Sequence, residues 1–336
     1  MKSPLETGEN QYLLDNLLQD CDISRTRILI TACELDLFTE LEKQPKSSKE
    51  LAQSMNLDES LTKRLLCALI EMNYVASNIN GIYSNSKVSS LFLNRKSSCS
   101  ICSWLCLHAG DWNSWGQLTQ KIQNGLNPHR RNIFSDPNRT LGLVKACHES
   151  ALLFHVLPFL ELIDFSTVNK LLDLGSGAGT YSIALAQKWQ KLTVTLFDCK
   201  EAILFAQSLE THKELKDRIE YIQGDYNKDE LKGKYDAVLL SQVISCEDIE
   251  SLDCLFQKIN SVLTRNGMLI IRDFFLDESG TSPQGGAIFS LTVMIETEKG
   301  MTYKLSDLLS LLEKNGFCNH KLLDNNVLIV YKQDLK

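Results

Sequence analysis

Residues 170–180 read KLLDLGSGAGT, which is an apolar run followed by a glycine-rich turn and the start of a helix. Glycines at 175, 177 and 179 let the backbone turn sharply and approach a ligand without a clash from a Cβ atom. A dinucleotide-binding GxGxxG pattern would have glycine at its sixth position, where this chain has Thr180. That difference disfavours a dinucleotide, whose pyrophosphate rests on the helix N-terminus.

The acid ahead of the turn favours a different ligand. Asp173 suits a ligand that carries an ammonium group, such as the methionine part of S-adenosylmethionine. Gly175, Ser176 and Gly177 are the turn residues that we expect to contact it. This motif therefore predicts a cofactor site for S-adenosylmethionine and no metal.

Two further carboxylates follow the next strands of the predicted sheet. Asp198 ends the second strand, where its two oxygens can accept hydrogen bonds from both ribose hydroxyls. Asp225 ends the third strand, where it can accept the adenine amino group while Tyr226 offers a stacking face. Each aspartate alone is more often a surface residue or a helix cap. Their recurrence at one sheet edge favours a binding site, because α/β proteins bind ligands at the carboxyl ends of their strands.

The pattern from residue 171 onward alternates strands with helices, which predicts parallel βαβ units. A final pair of strands joined by residues 324–326 predicts an antiparallel hairpin. The predicted fold is an α/β, Rossmann-like domain with a mostly parallel sheet. Its strand candidates are residues 169–174, 192–197, 218–222, 235–241, 268–272, 317–323 and 326–332.

The N-terminal part predicts consecutive short helices. Leu13, Leu14, Leu17 and Leu18 have helical spacing, Ser47 or Ser48 is a candidate N-cap, and residues 61–72 form an amphipathic helix. Residues 74–84, with a turn at Asn80-Gly81, predict a β-hairpin. Helix, turn, helix and hairpin form a winged-helix arrangement, which often binds DNA. Its second helix carries only Lys63 and Arg64 as basic residues, so a packing role is favoured here.

Length and composition set the remaining limits. The 336 residues are enough for about two ordinary domains. We expect residues 1–98 to form a winged-helix dimerisation domain, 99–165 a helical linker lining the substrate site, and 166–336 the catalytic domain. The net charge of −7 argues against a nucleic-acid partner. The sequence contains no run of 18 or more continuous apolar residues, so no membrane partner is expected. Without a recognisable secretory signal, the expected location is the cytoplasm.

Eleven cysteines are scattered mostly through apolar segments, which indicates reduced thiols. Cys99, Cys102 and Cys106 have a spacing that metal ligands can adopt. The same spacing places them on one apolar stripe of a helix, and no second ligand pair follows. Buried helical cysteines are the favoured interpretation.

Taken together, these motifs resemble the class I O-methyltransferases of the plant caffeic acid and acetylserotonin type, over nearly the whole chain. The N-terminal part is similar to that family's dimerisation domain, and residues 173–179 to its first motif. The resemblance implies that residues 197–199, which include Asp198 and Cys199, form the ribose site, and that residues 224–226 form the adenine site. It also implies that residues 241–244, beginning with Ser241, contact the cofactor, and that residues 315–317 match a closing Ala-Gly-Phe.

The chain departs from that family at the catalytic base. The family has a histidine after the fourth strand, where this chain has Ser245. Asp273 preserves one of the two acids that flank the base, and Met301 replaces the other. A positioned base is worth typically about 10²- to 10⁴-fold, so its loss disfavours phenol chemistry. Relatives that methylate carbon, including a bacteriochlorophyll-pathway branch, resemble this chain in lacking the histidine.

Three functions remain in competition. The leading one is a methyltransferase for a small aromatic or macrocyclic metabolite, acting on carbon or without a dedicated base. The alternatives are an O-methyltransferase with a substitute base such as His148, although a helical histidine is more often structural, and a cofactor-binding homologue that no longer methylates. An NAD-dependent oxidoreductase is disfavoured by Thr180. A leucine-rich first helix that a winged helix alone would leave exposed predicts a homodimer through residues 10–95.

Overall fold

The computed structural model describes residues 22–125 and 133–333. The chain divides into two compact units between Gly110 and Asp111. That boundary lies inside one helix, so the predicted division into residues 1–98, 99–165 and 166–336 stays a prediction. The predicted helix around Leu13–Leu18 lies outside the described residues.

The first unit contains short helices and a small sheet in the predicted order. Its sheet has the order β1-β3-β2, with both pairings antiparallel. The elements are α1 (Ile23–Glu34), α2 (Leu37–Lys43), β1 (Lys46–Ser47), α3 (Ser48–Met55), α4 (Glu59–Glu71), β2 (Val75–Ser77), β3 (Ile82–Asn85) and α5 (Cys102–Gly116), the last of which continues into the second unit.

Local sequence signals account for these elements. Ser47 caps α3 through a capping box, in which its hydroxyl accepts the Glu50 N–H and the Glu50 carboxylate accepts the Ser47 N–H. Apolar side chains from its helices and from the hairpin, among them Phe38, Leu51 and Leu66, form the core of this unit. Cys102 is buried at the start of α5 and Cys106 is half-buried, but Cys99 precedes the helix. Within the described residues no group of His, Cys, Asp and Glu is arranged to hold a metal ion.

The second unit is built around a seven-stranded sheet of order β11-β12-β8-β7-β4-β5-β6. Its strands are β4 (Lys170–Leu174), β5 (Thr193–Asp198), β6 (Ile219–Gln223), β7 (Tyr235–Ser241), β8 (Leu263–Arg272), β11 (Phe317–Leu323) and β12 (Val327–Lys332), with a short parallel pair β9 (Phe275–Leu276) and β10 (Tyr303–Lys304). Its helices are α6 (Leu118–Asn124), α7 (Pro137–Ser150), α8 (Val156–Leu162), α9 (Thr180–Lys188), α10 (Lys200–Ser208), α11 (Glu210–Lys213), α12 (Ile249–Val262), α13 (Gly286–Glu296) and α14 (Leu305–Lys314).

The pairings confirm the predicted α/β fold. β4, β5, β6, β7 and β8 are parallel, while β12 pairs antiparallel with both β8 and β11. Asp324 and Asn325 have positive φ at the turn of the final hairpin, as a tight two-residue turn requires. Apolar clusters cover both faces of the sheet, one under α12 and α14 and the other under α8 and α9. This packing leaves the carboxyl ends of the parallel strands as the sheet edge where loops meet.

One helical segment bears on the expectation, drawn from the sequence, that the protein has no membrane partner. Residues 137–162 form one long helix, comprising α7, a π-helical turn at Ala151–His155, and α8, and its length and composition would allow it to cross a membrane. Charged residues interrupt its apolar run, which is why the continuous-run criterion passed it over. Its inner face packs into the second unit through Val156 and Phe159, so the segment is by itself weak evidence of a membrane span.

Candidate functional site

The glycine-rich turn between β4 and α9 is closed on one side and open on the other. Gly175, Gly177 and Gly179 all have positive φ. A Cβ atom on Gly175 would lie 2.5 Å from Cγ2 of Val243, so the loop after β7 packs directly onto the turn. At Gly177 nothing lies within 4 Å of the position that a Cβ would take. The space in front of Gly177 is therefore where a ligand can approach the backbone.

Asp198 stands beside this open position. Its Oδ2 accepts a hydrogen bond from the Gly177 N–H over 2.7 Å, and its Oδ1 accepts one from the Cys199 N–H over 2.6 Å. Burial raises the pKa of the Asp198 carboxyl, and these two N–H groups offset part of the rise. The predicted ribose residue and the turn are thus in direct contact. Cys199 enters the site through its backbone N–H, and burial raises the pKa of its thiol to about 12.

Ser176 supplies a polar atom that needs a partner. Its Oγ is buried and makes no hydrogen bond to any residue that the structure describes. Buried hydroxyls usually have a partner, because leaving one unpaired costs about 1–3 kcal/mol. The Ser176 hydroxyl therefore indicates a group that the site is built to receive.

Asp173, the acid predicted to lie beside the ammonium group, is engaged by a protein hydroxyl, so its role toward the cofactor stays a prediction. Its side chain is buried, with 2% of the residue exposed, and its Oδ2 accepts a hydrogen bond from Ser182 Oγ over 2.5 Å. Burial raises the pKa of Asp173 to about 7. The reason is geometric: α9 folds back over β4 and brings Ser182 to the carboxyl group. This hydrogen bond connects the end of β4 to α9 on either side of the turn.

The predicted adenine residues lie two and three positions beyond β6, which ends at Gln223. Asp225 accepts hydrogen bonds from the Asn227 N–H and, in an exposed ion pair, from Lys228 Nζ over 2.8 Å. This carboxylate, like that of Asp198, has protein partners but also further lone pairs, so its role toward the adenine amino group stays a prediction. Tyr226 remains in place beside the turn, since its Cε1 lies 3.7 Å from the Cβ position of Gly175.

Glu247 holds Tyr226 and was not identified from the sequence. It is buried, and its Oε1 accepts hydrogen bonds from Tyr226 Oη over 2.9 Å and from Asn227 Nδ2 over 2.8 Å. Its carbonyl oxygen accepts a further hydrogen bond from Tyr303 Oη. These bonds fix the loop after β6 to the loop after β7. The only sequence signal was an acid placed shortly after a buried strand.

Ser245 and Asp273, both predicted to belong to the catalytic site, are in direct contact. Both are buried, and the Ser245 N–H donates a hydrogen bond to Asp273 Oδ2 over 3.2 Å. Asp273 follows β8 by one residue, and its Oδ1 accepts the Phe274 N–H over 2.9 Å. Burial raises the pKa of Asp273 to about 6, while these two N–H groups and the nearby Ser245 hydroxyl offset part of the rise. The Ser245 Oγ makes no hydrogen bond of acceptable geometry within the described residues.

Two cysteines that the sequence analysis did not single out lie near Asp273, and we infer that they line a cleft. Cys147 on α7 is exposed to water, yet desolvation by the surrounding protein raises the pKa of its thiol to about 11. Cys246 is half-buried, and burial together with the charges of Asp273, Glu247 and Asp198 raises its pKa further. A side chain that water reaches but protein surrounds on most sides lines a concave surface. Both thiols are protonated at neutral pH.

His148 lies elsewhere on α7. Its Nδ1 is 2.8 Å from Thr180 Oγ1, its ring meets Phe205 edge-on at 5.8 Å, and its charged form repels His212. Burial lowers the pKa of His148. No contact that the structure gives for His148 joins it to Ser245 or Asp273, so its role as a base stays a prediction.

Ser241, the last residue of β7, contacts a residue that the sequence analysis passed over. Its Oγ is 3.5 Å from Nη1 of Arg272, the last residue of β8. Arg272 is buried, with its guanidinium 4.9 Å from the centre of the Tyr181 ring. The available signal was a cation closing the otherwise apolar stretch 268–271.

These residues fit S-adenosylmethionine. Asp198 offers carboxylate oxygens beside the turn, Ser176 offers an unpaired hydroxyl, and Gly177 leaves open space. Tyr226, held by Glu247, offers an aromatic side chain next to Gly175. Ribose hydroxyls, polar groups and an aromatic base call for these donors, acceptors and faces.

Comparisons with known proteins agree with this geometry. The family model of the O-methyltransferase domain matches residues 121–318, and that of the O-methyltransferase dimerisation domain matches residues 21–95. The chain is 23% identical to the S-adenosyl-L-methionine-dependent methyl transferase PigF of Serratia sp., over 89% of each chain. It is also 23% identical to the tetracenomycin polyketide synthesis 8-O-methyl transferase TcmO of Streptomyces glaucescens, over 87% of each chain.

The fold is shared with solved structures. Human N-acetylserotonin methyltransferase in complex with SAM superposes with a TM-score of 0.81 at 21% identity, covering 99% of this chain and 100% of that one. The O-methyltransferase domain alone matches more than half of the 336 residues. The chain therefore belongs to the O-methyltransferase family and is an S-adenosylmethionine-dependent methyltransferase that acts on small molecules.

Proposed function

We propose that this enzyme methylates a small aromatic or macrocyclic metabolite at carbon, or at another atom that needs no dedicated base. One observation carries the proposal. Ser245, which the resemblance places where the family has a histidine, is buried beside Asp273 with its hydroxyl unpartnered among the described residues. A serine hydroxyl is too weakly basic to deprotonate an acceptor near neutral pH.

The remaining acid bears on the choice between acceptor atoms. A phenol has a pKa near 10, whereas burial raises that of Asp273 to about 6. Removing a phenol proton with this carboxylate is therefore uphill by about 4 pKa units, or about 5 kcal/mol. A histidine, with an ordinary pKa of about 6.5, would face nearly the same gap, so the difference lies in the surroundings of Asp273, whose carboxylate oxygens already accept the N–H groups of Ser245 and Phe274.

An electron-rich carbon places a smaller demand on the protein. The cofactor supplies an electrophilic methyl group when bound, and the carbon can attack it without first losing a proton. The proton leaves afterwards, from a substrate cation that is strongly acidic. Asp273, which is largely ionised at neutral pH, can accept that proton or hold the acceptor in line.

The other residues of the site would bind the cofactor and surround the acceptor. Asp198 and the turn at Gly177 would hold the ribose, and Tyr226 would lie against the adenine. The protonated thiols of Cys147 and Cys246 line the cleft with polarisable, weakly polar surface. Such a lining suits a flat apolar acceptor.

An O-methyltransferase that uses His148 is the second candidate. Burial lowers the pKa of His148, so its imidazole is neutral and able to accept a proton at neutral pH. Its known partners are Thr180 and Phe205, which suit a structural role equally well. A homologue that binds cofactor without methylating is the third candidate.

The position of the transferred methyl group separates these candidates. The enzyme would be incubated with cofactor carrying a ¹³C-labelled methyl group and with matched acceptors, each electron-rich at carbon, with free or blocked hydroxyls. We expect a carbon-bound methyl signal by NMR, including from the hydroxyl-blocked acceptors. An oxygen-bound methyl that requires a free hydroxyl and disappears in His148→Ala would favour the second candidate. No product from any acceptor despite bound cofactor would favour the third.

We further propose a homodimer joined through residues 10–95, acting in the cytoplasm without a nucleic-acid or membrane partner. The match to a dimerisation domain at residues 21–95 supports the dimer, as do the exposed apolar side chains of Val88, Leu91 and Phe92. The net charge of −7 supports the absence of a nucleic-acid partner.

A further inference from the structure

Arg272 is a buried cation at the carboxyl edge of the sheet. Only 7% of the residue is exposed. It ends β8, and its neighbour Asp273 turns to Ser245, whereas the Arg272 guanidinium turns to Tyr181 and Ser241. The two adjacent charged side chains therefore contact different groups of residues.

The hydrogen bonds of Arg272 are too few for a buried guanidinium. Such a group has five N–H donors and cannot lose its charge. Among the residues described, Arg272 has no carboxylate within ion-pair distance, and its one hydrogen bond, to Ser241 Oγ, is long at 3.5 Å. The Tyr181 ring offers cation–π attraction. Burying an unpaired charge costs more than one such contact returns, so the contact with Tyr181 leaves most of this cost uncompensated.

Two other arginines of the same unit show what a satisfied guanidinium looks like in this protein. Arg139 donates to Asp111 over 2.8 Å and to Glu296 over 2.7 Å. Arg218 donates to the backbone carbonyl oxygens of Ala186, Trp189, Gln190 and Leu192. Arg272 has neither arrangement, so its unpaired donors are a property of this site.

The charge of Arg272 is felt in the cleft. It lies close enough to Cys147, which water reaches, to lower the pKa of that thiol against the effect of burial. Together with burial, the larger cause, it also lowers the pKa of His155 to about 4, so this histidine adds no positive charge. Ser241, the contact of Arg272, ends the strand that leads into the Ser245 loop. The position suits a negatively charged group of a ligand in the cleft.

We propose that Arg272 binds a carboxylate of a ligand in this cleft, with Ser241 as an additional hydroxyl donor. A carboxylate matches the planar guanidinium with two parallel hydrogen bonds and compensates its charge. Both the methionine end of the cofactor and an acceptor that carries a carboxylate present this group. The inference rests on the assignment of the cleft to cofactor and acceptor, and it does not depend on which acceptor atom is methylated.

Calorimetry on the full-length protein distinguishes the two sources. S-adenosylhomocysteine carries the methionine carboxylate, and 5′-methylthioadenosine has the same nucleoside and sulfur without it. Benzoate, added to protein saturated with S-adenosylhomocysteine, probes the acceptor side. The variants are Arg272→Met and, as a matched control on the exposed part of the same strand, Arg265→Met.

A cofactor carboxylate predicts that Arg272→Met weakens S-adenosylhomocysteine binding at least about tenfold and leaves methylthioadenosine binding within about twofold. An acceptor carboxylate predicts unchanged S-adenosylhomocysteine binding and the loss of benzoate binding. Arg265→Met should change none of these affinities. Because the lost charge is unpaired, Arg272→Met should also unfold at no lower temperature than the wild type when both are free of ligand.

The proposal is overturned if folded Arg272→Met binds all three probes within about twofold of the wild type, or if the wild type binds no benzoate and the variant keeps its cofactor affinity. Should Arg272→Met fail to fold, Arg272→Lys keeps the charge but loses the paired hydrogen bonds, and unchanged affinities in that variant overturn the proposal equally. A wild type that binds neither nucleoside overturns the cofactor assignment as well. An effect confined to Arg272→Met leaves that assignment intact.

Discussion

The backbone N–H of Ser245 donates a hydrogen bond to Oδ2 of Asp273 over 3.2 Å. This bond joins the loop after β7 to the end of β8, where the resemblance to the family predicts the catalytic base. It holds a carboxylate with a pKa of about 6 next to a hydroxyl that cannot replace a histidine. The chemistry that we propose follows from this pair.

Cofactor affinity should depend strongly on Asp198 and weakly on Asp225. Asp198→Ala should weaken S-adenosylhomocysteine binding by at least about 1.5 kcal/mol, because charge-assisted hydrogen bonds to the ribose are lost. Asp225→Ala should cost less than about 1 kcal/mol, since Asp225 already makes an exposed ion pair with Lys228. Titration calorimetry measures both. Equal losses in the two variants would contradict this ranking, and binding of NADH in place of S-adenosylhomocysteine would contradict the cofactor site altogether.

The rate of methyl transfer should fall as the medium becomes acidic. Burial raises the pKa of Asp273 to about 6, and only the ionised carboxylate can offset the positive charge that an attacking carbon acquires during methyl transfer. The value of kcat/KM should therefore decline through about pH 6 with a single protonation. The decline should be absent from the residual activity of Asp273→Asn. A midpoint that persists in that variant would assign the titration to another group.

Asp173 should make the folded protein less stable as pH rises. Burial raises its pKa from 3.8 to about 7, so the folded state holds this proton more tightly than the unfolded chain does. The stability that comes from the neutral carboxyl is fully present below the unfolded pKa and is lost as pH rises through about 7. Between about pH 5 and about pH 8, Asp173→Asn should lose less free energy of unfolding than the wild type.

Urea denaturation at several pH values measures this difference, with Asp217→Asn as the control because Asp217 is exposed. The same pH dependence in wild type and Asp173→Asn would show that the folded protein does not bury a neutral Asp173.

The protein should sediment as a dimer at micromolar concentration. The dimerisation-domain match and the exposed apolar side chains of Leu91 and Phe92 support a partner surface in the first unit. Sedimentation velocity of the full chain measures the state directly. A monomer at that concentration would refute the homodimer.

The turn and the strands could be predicted from sequence, because they depend on local pattern. Residues 170–174 and 235–241 form buried strands, and both appear in the sequence as apolar runs. The three glycines of the turn could be predicted too, because each has a positive φ that favours glycine. Side-chain pairing across the fold could not be predicted in this way. Asp173 accepts a hydrogen bond from Ser182, and Asp225 makes an ion pair with Lys228. Such contacts, which the sequence does not reveal, decide whether an acid near a motif meets a ligand or a protein group.

Arg272 shows the same limit from the other direction. In the sequence, Arg272 stands next to an acid, Asp273, which could be read as its partner in an ion pair. The alternation of side chains along β8 instead sends Arg272 to Tyr181 and leaves Asp273 with Ser245. Only the folded structure reveals that its charge is unpaired.

Single-turnover kinetics of Ser245→Ala and Asp273→Asn, with cofactor bound and the true acceptor, test the central claim most directly. If the site works without the family's base, Ser245→Ala should slow the methyl-transfer step less than about tenfold. Asp273→Asn should slow turnover by about 10²-fold or more, because it removes the carboxylate that positions the acceptor and offsets the positive charge that forms on it. A thousandfold fall in the methyl-transfer step for Ser245→Ala, with cofactor and acceptor binding intact, would contradict this account.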